Sequence, residues 1–127
     1  MTSYILDAYA WIEYLEGSTR GMKVKDVIEK PRNRIYTCVV TIAEVVSKLR
    51  RRDLEYKIAL HAFSNSRIIP VDDKLSVLAG ELHAQVRKDI KDFGLADAYV
   101  LACGRKYDAT IITGDPHFKS IKGVMSI

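Results

Sequence analysis

The sequence predicts an α/β protein of three layers, α/β/α, in which a central, mostly parallel sheet lies between helices. Short apolar segments of strand length alternate along the chain with longer segments whose apolar residues recur at helical spacing. Turn residues such as Gly17, Pro31 and Gly114 separate these segments, and no repeat or low-complexity stretch interrupts the alternation. We therefore expect one domain over residues 1–127, which is long enough to bury a core without disulfides.

Four segments have the length and the residue types of strands, and the C-terminal segment is a candidate for an edge strand. The four are residues 3–6, 34–40, 67–71 and 109–113, and the fifth is 123–127. Connections of helical length between successive strands favour parallel pairing, because a parallel neighbour is reached only by a crossover.

Helical spacing, N-capping residues and helix breakers predict six helices. They are residues 8–17, the segment from the Ser18-Thr19 cap to Lys30, the segment from an N-cap at Thr41 to the basic run 50–52, and residues 53–63, 74–89 and 95–106.

The composition is that of an ordinary globular protein, with 48% hydrophobic and 28% charged residues. No apolar run approaches the roughly 18 residues that span a bilayer, and the N-terminus lacks a basic start and an apolar core, so we expect a cytoplasmic location without membrane contact. Cys38 and Cys103 have neither zinc-ligand nor disulfide-framework spacing, and we expect both in the core. The net charge of +4 is compatible with an anionic partner.

Two acids follow predicted strands, where open parallel sheets form their sites. Asp7 comes directly after residues 3–6, and Asp115 follows residues 109–113. Each also has a purely structural interpretation: Asp7 suits a helix N-cap, and the Gly-Asp-Pro sequence around Asp115 suits a turn.

Two further acids lie on predicted helices. Asp97 is in a helix segment that is apolar nearly all round, so it needs a cation nearby or else caps a helix that begins later than expected. Glu44 is three residues after Thr41 and four before Lys48, so from the residues alone a capping box or an ion pair is the preferred explanation.

Four carboxylates from separate elements would repel one another in one crevice unless they bind a cation. Oxygen ligands without His or Cys at ligand spacing select Mg²⁺ or Mn²⁺ over zinc. Such a site activates water for in-line displacement at phosphorus.

The four acids lie in motifs that together resemble the four acidic motifs of PIN domains. The motifs are Tyr-Ile-Leu-Asp7-Ala-Tyr-Ala, Thr41-Ile-Ala-Glu44-Val, Leu95-Ala-Asp97-Ala-Tyr and Thr113-Gly-Asp115-Pro-His-Phe. Their order and the chain length are similar to those of the VapC-type toxins of bacterial and archaeal toxin–antitoxin modules, and the resemblance covers essentially the whole chain.

The resemblance implies a PIN-like α/β/α fold, a Mg²⁺- or Mn²⁺-dependent endoribonuclease that cleaves RNA with metal-activated water, a homodimer, and neutralisation by a small VapB-like antitoxin. It implies metal-binding and catalytic roles for Asp7, Glu44, Asp97 and Asp115, and it places Thr113 as a hydrogen-bonding residue near water or substrate. Two other functions remain open: a PIN nuclease of RNA processing without an antitoxin, and a non-catalytic module that binds RNA or protein.

Three other residues near the motifs bear on the substrate. Tyr9 departs from the small hydroxyl or amide residue often found there in relatives, and it either narrows the pocket or packs in the core. Lys48 and Arg51 suit contacts with an RNA backbone, although cations near a helix C-terminus are also favourable without a ligand. His117, two residues after Asp115, is assigned no role.

Overall fold

A computed structural model describes residues 2–127, with a five-stranded sheet at its centre. The strands are β1 (Ser3–Leu6), β2 (Arg34–Cys38), β3 (Arg67–Ile69), β4 (Thr110–Thr113) and β5 (Val124–Ser126). Every pairing is parallel, and the spatial order is β3-β2-β1-β4-β5. The predicted mostly parallel sheet and its C-terminal edge strand are thus confirmed, and β1 lies in the middle with β2 and β4 on its two sides.

Six helices and one short 3₁₀ helix connect the strands within residues 2–127. They are α1 (Ala8–Glu16), α2 (Thr19–Ile28), α3 (Val39–Arg51), α4 (Lys57–Ser64), α5 (Asp73–Val86), α6 (Leu95–Lys106) and the 3₁₀ helix Pro116–Phe118. None of these helices has the length and hydropathy of a membrane span.

The sheet is buried on both faces, which makes the three layers. In β1, Ile5 belongs to the core beneath α5 and α6, whereas Leu6 belongs to the core beneath α1 to α4. In β4, Ile111 and Ile112 divide between the two cores in the same way. Because successive residues of a strand point to opposite faces, a strand covered on both sides needs the continuous apolar run seen in the sequence.

The start of α3 differs from the prediction. The helix begins at Val39 with Cys38 as its N-cap residue, so Thr41 is not the cap and forms no capping box with Glu44. Thr41 lies inside the helix, buried, and its hydroxyl has no hydrogen-bond partner within residues 2–127. Pairing between β2 and β3 extends only to Cys38 and Ile69, so Val39 has no strand partner and enters the helix despite its β propensity.

The start of α4 was also predicted too early. The backbone N–H groups of Arg52, Asp53 and Leu54 donate to carbonyls at the end of α3, and Asp53 adopts a positive φ of 56°. These residues therefore terminate one helix and cannot begin the next. Smaller differences lie at the ends of β3, which stops before Pro70, and of α2 and α5, which end at Ile28 and Val86.

The close approach of α1 and α2 depends on Gly21. A Cβ atom at this position would lie 2.0 Å from the carbonyl oxygen of Glu13 and 3.0 Å from the Cα atom of Tyr14. Since both neighbours are backbone atoms, Gly21→Ala requires the two helices to separate, and we expect it to lower the free energy of unfolding by about 3 kcal/mol. Urea unfolding monitored by circular dichroism measures this change.

Gly80→Ala is the matched control, because Gly80 lies in α5 with nothing within 4 Å of an added Cβ. It should leave stability unchanged or raise it by up to about 1 kcal/mol. Equal effects of the two substitutions would refute the close-packing explanation for Gly21.

Candidate metal centre

Asp7 lies where β1 passes into α1, and both of its carboxylate oxygens accept hydrogen bonds. Oδ1 accepts from the backbone N–H of Ala10 at 2.9 Å, and Oδ2 accepts from the hydroxyl of Thr113. Burial raises the pKa of Asp7 to about 7; the two hydrogen bonds oppose this rise, while the charges of Asp115 and Asp97 add to it. The N-cap interpretation is therefore confirmed, and the same carboxylate also lies among other acids.

Thr113 joins two of the acids through its hydroxyl group. It stands at the end of β4, which pairs directly with β1, and its side chain is buried. The hydroxyl donates to Asp7 and accepts from the backbone N–H of Asp115 at 2.9 Å. The end of β4 thus holds Asp7 in place and sets the path of the chain into Asp115.

Asp115 also has the turn structure that its sequence indicated. Its Oδ1 accepts from the backbone N–H of His117 at 2.9 Å and so caps the short 3₁₀ helix. The Nδ1 atom of the His117 ring lies 3.2 Å from the same oxygen. Both side chains are half-buried.

Asp97 is the third residue of α6, so the helix does not begin late and Asp97 is not its N-cap residue. Its Oδ2 accepts from the backbone N–H of Gly94 at 3.0 Å. Burial, and after it the charge of Asp115, raise the pKa of Asp97, whereas the Gly94 hydrogen bond and nearby His117 and His83 lower it.

Asp97, Asp115 and His117 form the tightest cluster of potential metal ligands in residues 2–127. One ligand atom from each side chain lies within 4.8 Å of the others. His117 has no role in the motif pattern, and its position two residues after a motif acid in a turn is the only signal of its place in the sequence. Its closeness to Asp97 depends on the packing of α6 against the end of β4, which no local pattern reveals.

Glu44 approaches the other acids from α3, which contacts both α1 and α6. Burial, followed by the charges of Asp97 and Asp115, raises the pKa of Glu44, while Lys48 lowers it. An open groove runs beside it between the start of α1 and α3, and it is lined by Ala8, Ala43, Glu44, Ser47, Lys48 and Arg51. Lys48, Arg51 and Glu44 therefore line the same groove.

These residues fit a divalent cation. Burial and mutual repulsion raise the pKa of Asp7, Glu44 and Asp97, so a cation among them would stabilise their ionised forms. Carboxylate oxygens dominate the donor set, as Mg²⁺ and Mn²⁺ sites require. Asp97 and Asp115 each use one oxygen in the hydrogen bonds above, which leaves the second oxygen for a ligand.

The raised pKa of Asp7 predicts how the stability of metal-free protein depends on pH. In the folded state the Asp7 carboxyl group keeps its proton up to about pH 7, whereas in the unfolded chain it loses the proton near pH 3.8. The contribution of this proton to the free energy of unfolding is therefore complete below about pH 4. It is lost as the pH rises through about 7, which lowers the free energy of unfolding by up to about 4 kcal/mol. Asp7→Asn keeps a neutral acceptor for Ala10 and should remove most of this fall, as measured by urea unfolding in EDTA.

Asp92→Asn, in the exposed turn before α6, is the control and should retain the wild-type pH dependence. If Asp7→Asn protein loses as much stability between about pH 4 and about pH 8 as the wild type, burial of Asp7 is not the cause.

Solved structures with the same fold include several toxin–antitoxin proteins. A chain of a toxin–antitoxin complex from Klebsiella pneumoniae is 24% identical, with a TM-score of 0.71 and coverage of 97% of this chain and 96% of that chain. VapC20 of Mycobacterium tuberculosis, described as a sarcin-ricin loop cleaving toxin, is 21% identical, with a TM-score of 0.75 and coverage of 95% and 96%. A chain of DNA-bound VapBC from Salmonella typhimurium is 13% identical, with a TM-score of 0.74 and coverage of 100% and 98%.

A comparison with curated protein sequences found no significant match. The sequence model of the PIN domain, in contrast, matches residues 4–124, a range that contains all four acids and nearly every element of the fold. This match confirms the resemblance carried by the four acidic motifs, and the chain belongs to the PIN-domain family.

Proposed function

We propose that this chain is a Mg²⁺- or Mn²⁺-dependent endoribonuclease and the VapC-like toxin of a type II toxin–antitoxin module. The observation that carries the proposal is the cluster of Asp97, Asp115 and His117 beyond the end of β4, which Asp7 and Glu44 approach closely enough for their charges to interact with those of Asp97 and Asp115. Burial and mutual repulsion raise the pKa of Asp7, Glu44 and Asp97, and a bound cation would favour the ionised forms of all three.

Asp7, Glu44, Asp97 and Asp115 would hold the metal, and His117 adjoins the Asp97 and Asp115 oxygens. When bound, the cation supplies an activated water and neutralises charge that develops on the phosphate. The buried Thr113 is the positioning residue of this set, because its hydroxyl restrains Asp7 and the Asp115 backbone together.

The substrate must bring negatively charged phosphates to a crevice of carboxylates. Lys48 and Arg51 line the groove beside Glu44 and are suited to contact an RNA backbone there. These contacts lack base recognition, so they contribute affinity and orientation more than choice of sequence.

The toxin assignment rests on the structural neighbours. The Klebsiella chain comes from a toxin–antitoxin complex, VapC20 is described as a sarcin-ricin loop cleaving toxin, and the Salmonella structure is a DNA-bound VapBC. Each covers nearly all of this chain with a similar fold. A VapB-like antitoxin, a homodimer and a cytoplasmic location belong to the same proposal.

The nuclease is tested with total cellular RNA and purified protein in Mg²⁺ or Mn²⁺. Wild-type protein should produce discrete fragments, and EDTA should abolish them. Asp97→Asn keeps an oxygen that accepts from Gly94 but loses the charge, so it should fold normally and cleave at least about 100-fold more slowly. Gel electrophoresis of the RNA gives both rates.

The exposed Asp92→Asn protein, with the same loss of one charge, should cleave at the wild-type rate. Intact RNA in every lane, together with no metal binding by calorimetry, would favour the non-catalytic module. If wild-type expression arrests growth and Asp97→Asn expression does not, the nuclease acts as a toxin; cleavage in vitro without growth arrest would favour RNA processing.

Thr113→Val preserves the shape of the side chain and removes its hydroxyl. Asp7 then loses a donor and the Asp115 N–H loses its acceptor, so the acids are less well oriented. We expect metal affinity, measured by calorimetry, to fall about 10- to 100-fold. Thr110→Val, a half-buried change at the other end of β4, should leave affinity unaltered; a similar loss in both variants would point to a general effect on the strand.

A further inference from the structure

Tyr9 and Arg20 form a pair beside the acids. Tyr9 is in the first turn of α1, two residues after Asp7, and Arg20 is in the first turn of α2. The phenol oxygen of Tyr9 accepts a hydrogen bond from Nη1 of Arg20, and the guanidinium carbon lies 5.9 Å from the ring centroid. The contact holds a long, exposed cationic side chain in one place.

The ring of Tyr9 packs on Gly114, between Thr113 and Asp115. A Cβ atom at Gly114 would lie 2.2 Å from Cε1 and 2.8 Å from Cζ of the ring, so only glycine permits this approach. Cζ carries the phenol oxygen that binds Arg20. The guanidinium group is therefore held next to the loop that supplies Asp115.

Arg20 has donors to spare. A guanidinium group carries five N–H donors, and one nitrogen is engaged with Tyr9. No carboxylate of residues 2–127 lies within 4.0 Å of it. Since the planar guanidinium group binds phosphate well, this side chain suits an anionic ligand.

The pair and the groove that contains Lys48 and Arg51 adjoin elements that follow different strands. That groove is bounded by α3, which follows β2, whereas Gly114 follows β4. Because β2 and β4 flank β1 on opposite sides, the basic residues approach the acids from two directions. An RNA strand that crosses the acids would meet cations before and after them.

We propose that Arg20, positioned by Tyr9, binds a backbone phosphate of the RNA on the β4 side of the acids. The inference rests on the proposed RNA substrate and adds a phosphate contact to those proposed for Lys48 and Arg51. It also gives Tyr9 a function. The ring supports Arg20 and covers the Gly114 backbone, and in this way it orients the RNA across the crevice.

The test measures binding of a fluorescein-labelled single-stranded RNA of about 12 nucleotides by anisotropy, from about 20 to about 200 mM KCl with Mg²⁺. Asp97→Asn protein is the parent, and a gel confirms that the RNA stays intact. One phosphate contact to a single strand contributes about 0.7 to the slope of log K against log salt. Arg20→Gln should reduce the slope by that amount and weaken binding about tenfold at low salt.

Tyr9→Phe separates position from charge. It retains the ring and Arg20 but removes the phenol oxygen, so the slope should stay parental while the dissociation constant rises about threefold. Lys23→Gln is the matched control, because Lys23 is exposed on α2 and the substitution removes the same charge. It should change neither quantity appreciably.

The inference is overturned if Arg20→Gln protein has the same slope of log K against log salt as the parent, or if Lys23→Gln reduces the slope equally. It is also overturned if the parent protein does not bind the RNA at the lowest salt. Cleavage is measured separately, in protein that retains Asp97, so that the phosphate contact and the proposed nuclease activity are tested independently. Fragments without any effect of Arg20→Gln on binding refute the phosphate contact alone. An Arg20-dependent slope without fragments refutes the nuclease alone.

Discussion

At the junction between β1 and β4, strand pairing and one buried hydrogen bond position the acids of the site. Leu6 pairs with Ile112 in the sheet, and directly beyond that pair the hydroxyl of Thr113 donates to the carboxylate of Asp7. Asp7 is nearly fully buried, where an ionised carboxylate is costly without donors or a cation. The sheet register therefore sets the relative position of Asp7 and the chain that leads to Asp115, and α6 and α3 add their acids around that position.

Three of the acids combine a structural task with the proposed one. Asp7 caps α1, Asp97 accepts from the N–H before α6, and Asp115 caps the 3₁₀ helix. A helix N-terminus favours a negative charge, so these contacts oppose part of the repulsion within the crevice. Because the two oxygens of a carboxylate have about four lone-pair sites between them, a cap and a metal ligand can be the same residue, and the alternatives that the sequence left open do not exclude one another.

The sequence predicted the architecture well because the relevant signals are local. Apolar runs of strand length, helical spacing and turn residues led to the parallel sheet, its edge strand and six helices. The errors occurred where tertiary structure overrides local preference. Thr41 has the chemistry of a cap, but the strand ends at Cys38 and the helix has already begun. Residues 53–56 have a helical pattern, but backbone groups of 52–54 terminate the preceding helix.

Local sequence patterns were enough to predict the fold class, the family motifs and the four candidate acids, because each depends on residue types within a few positions of one another. The contacts between side chains of different elements became visible only in the folded chain. Folding brought His117 to Asp97, Tyr9 to Gly114 and Arg20 to Tyr9. It also gave Thr113 two acids to hold at once. The physical reason is that these contacts depend on sheet order and helix packing, which arise from burial summed over the whole chain, whereas sequence patterns report only the neighbours of each residue.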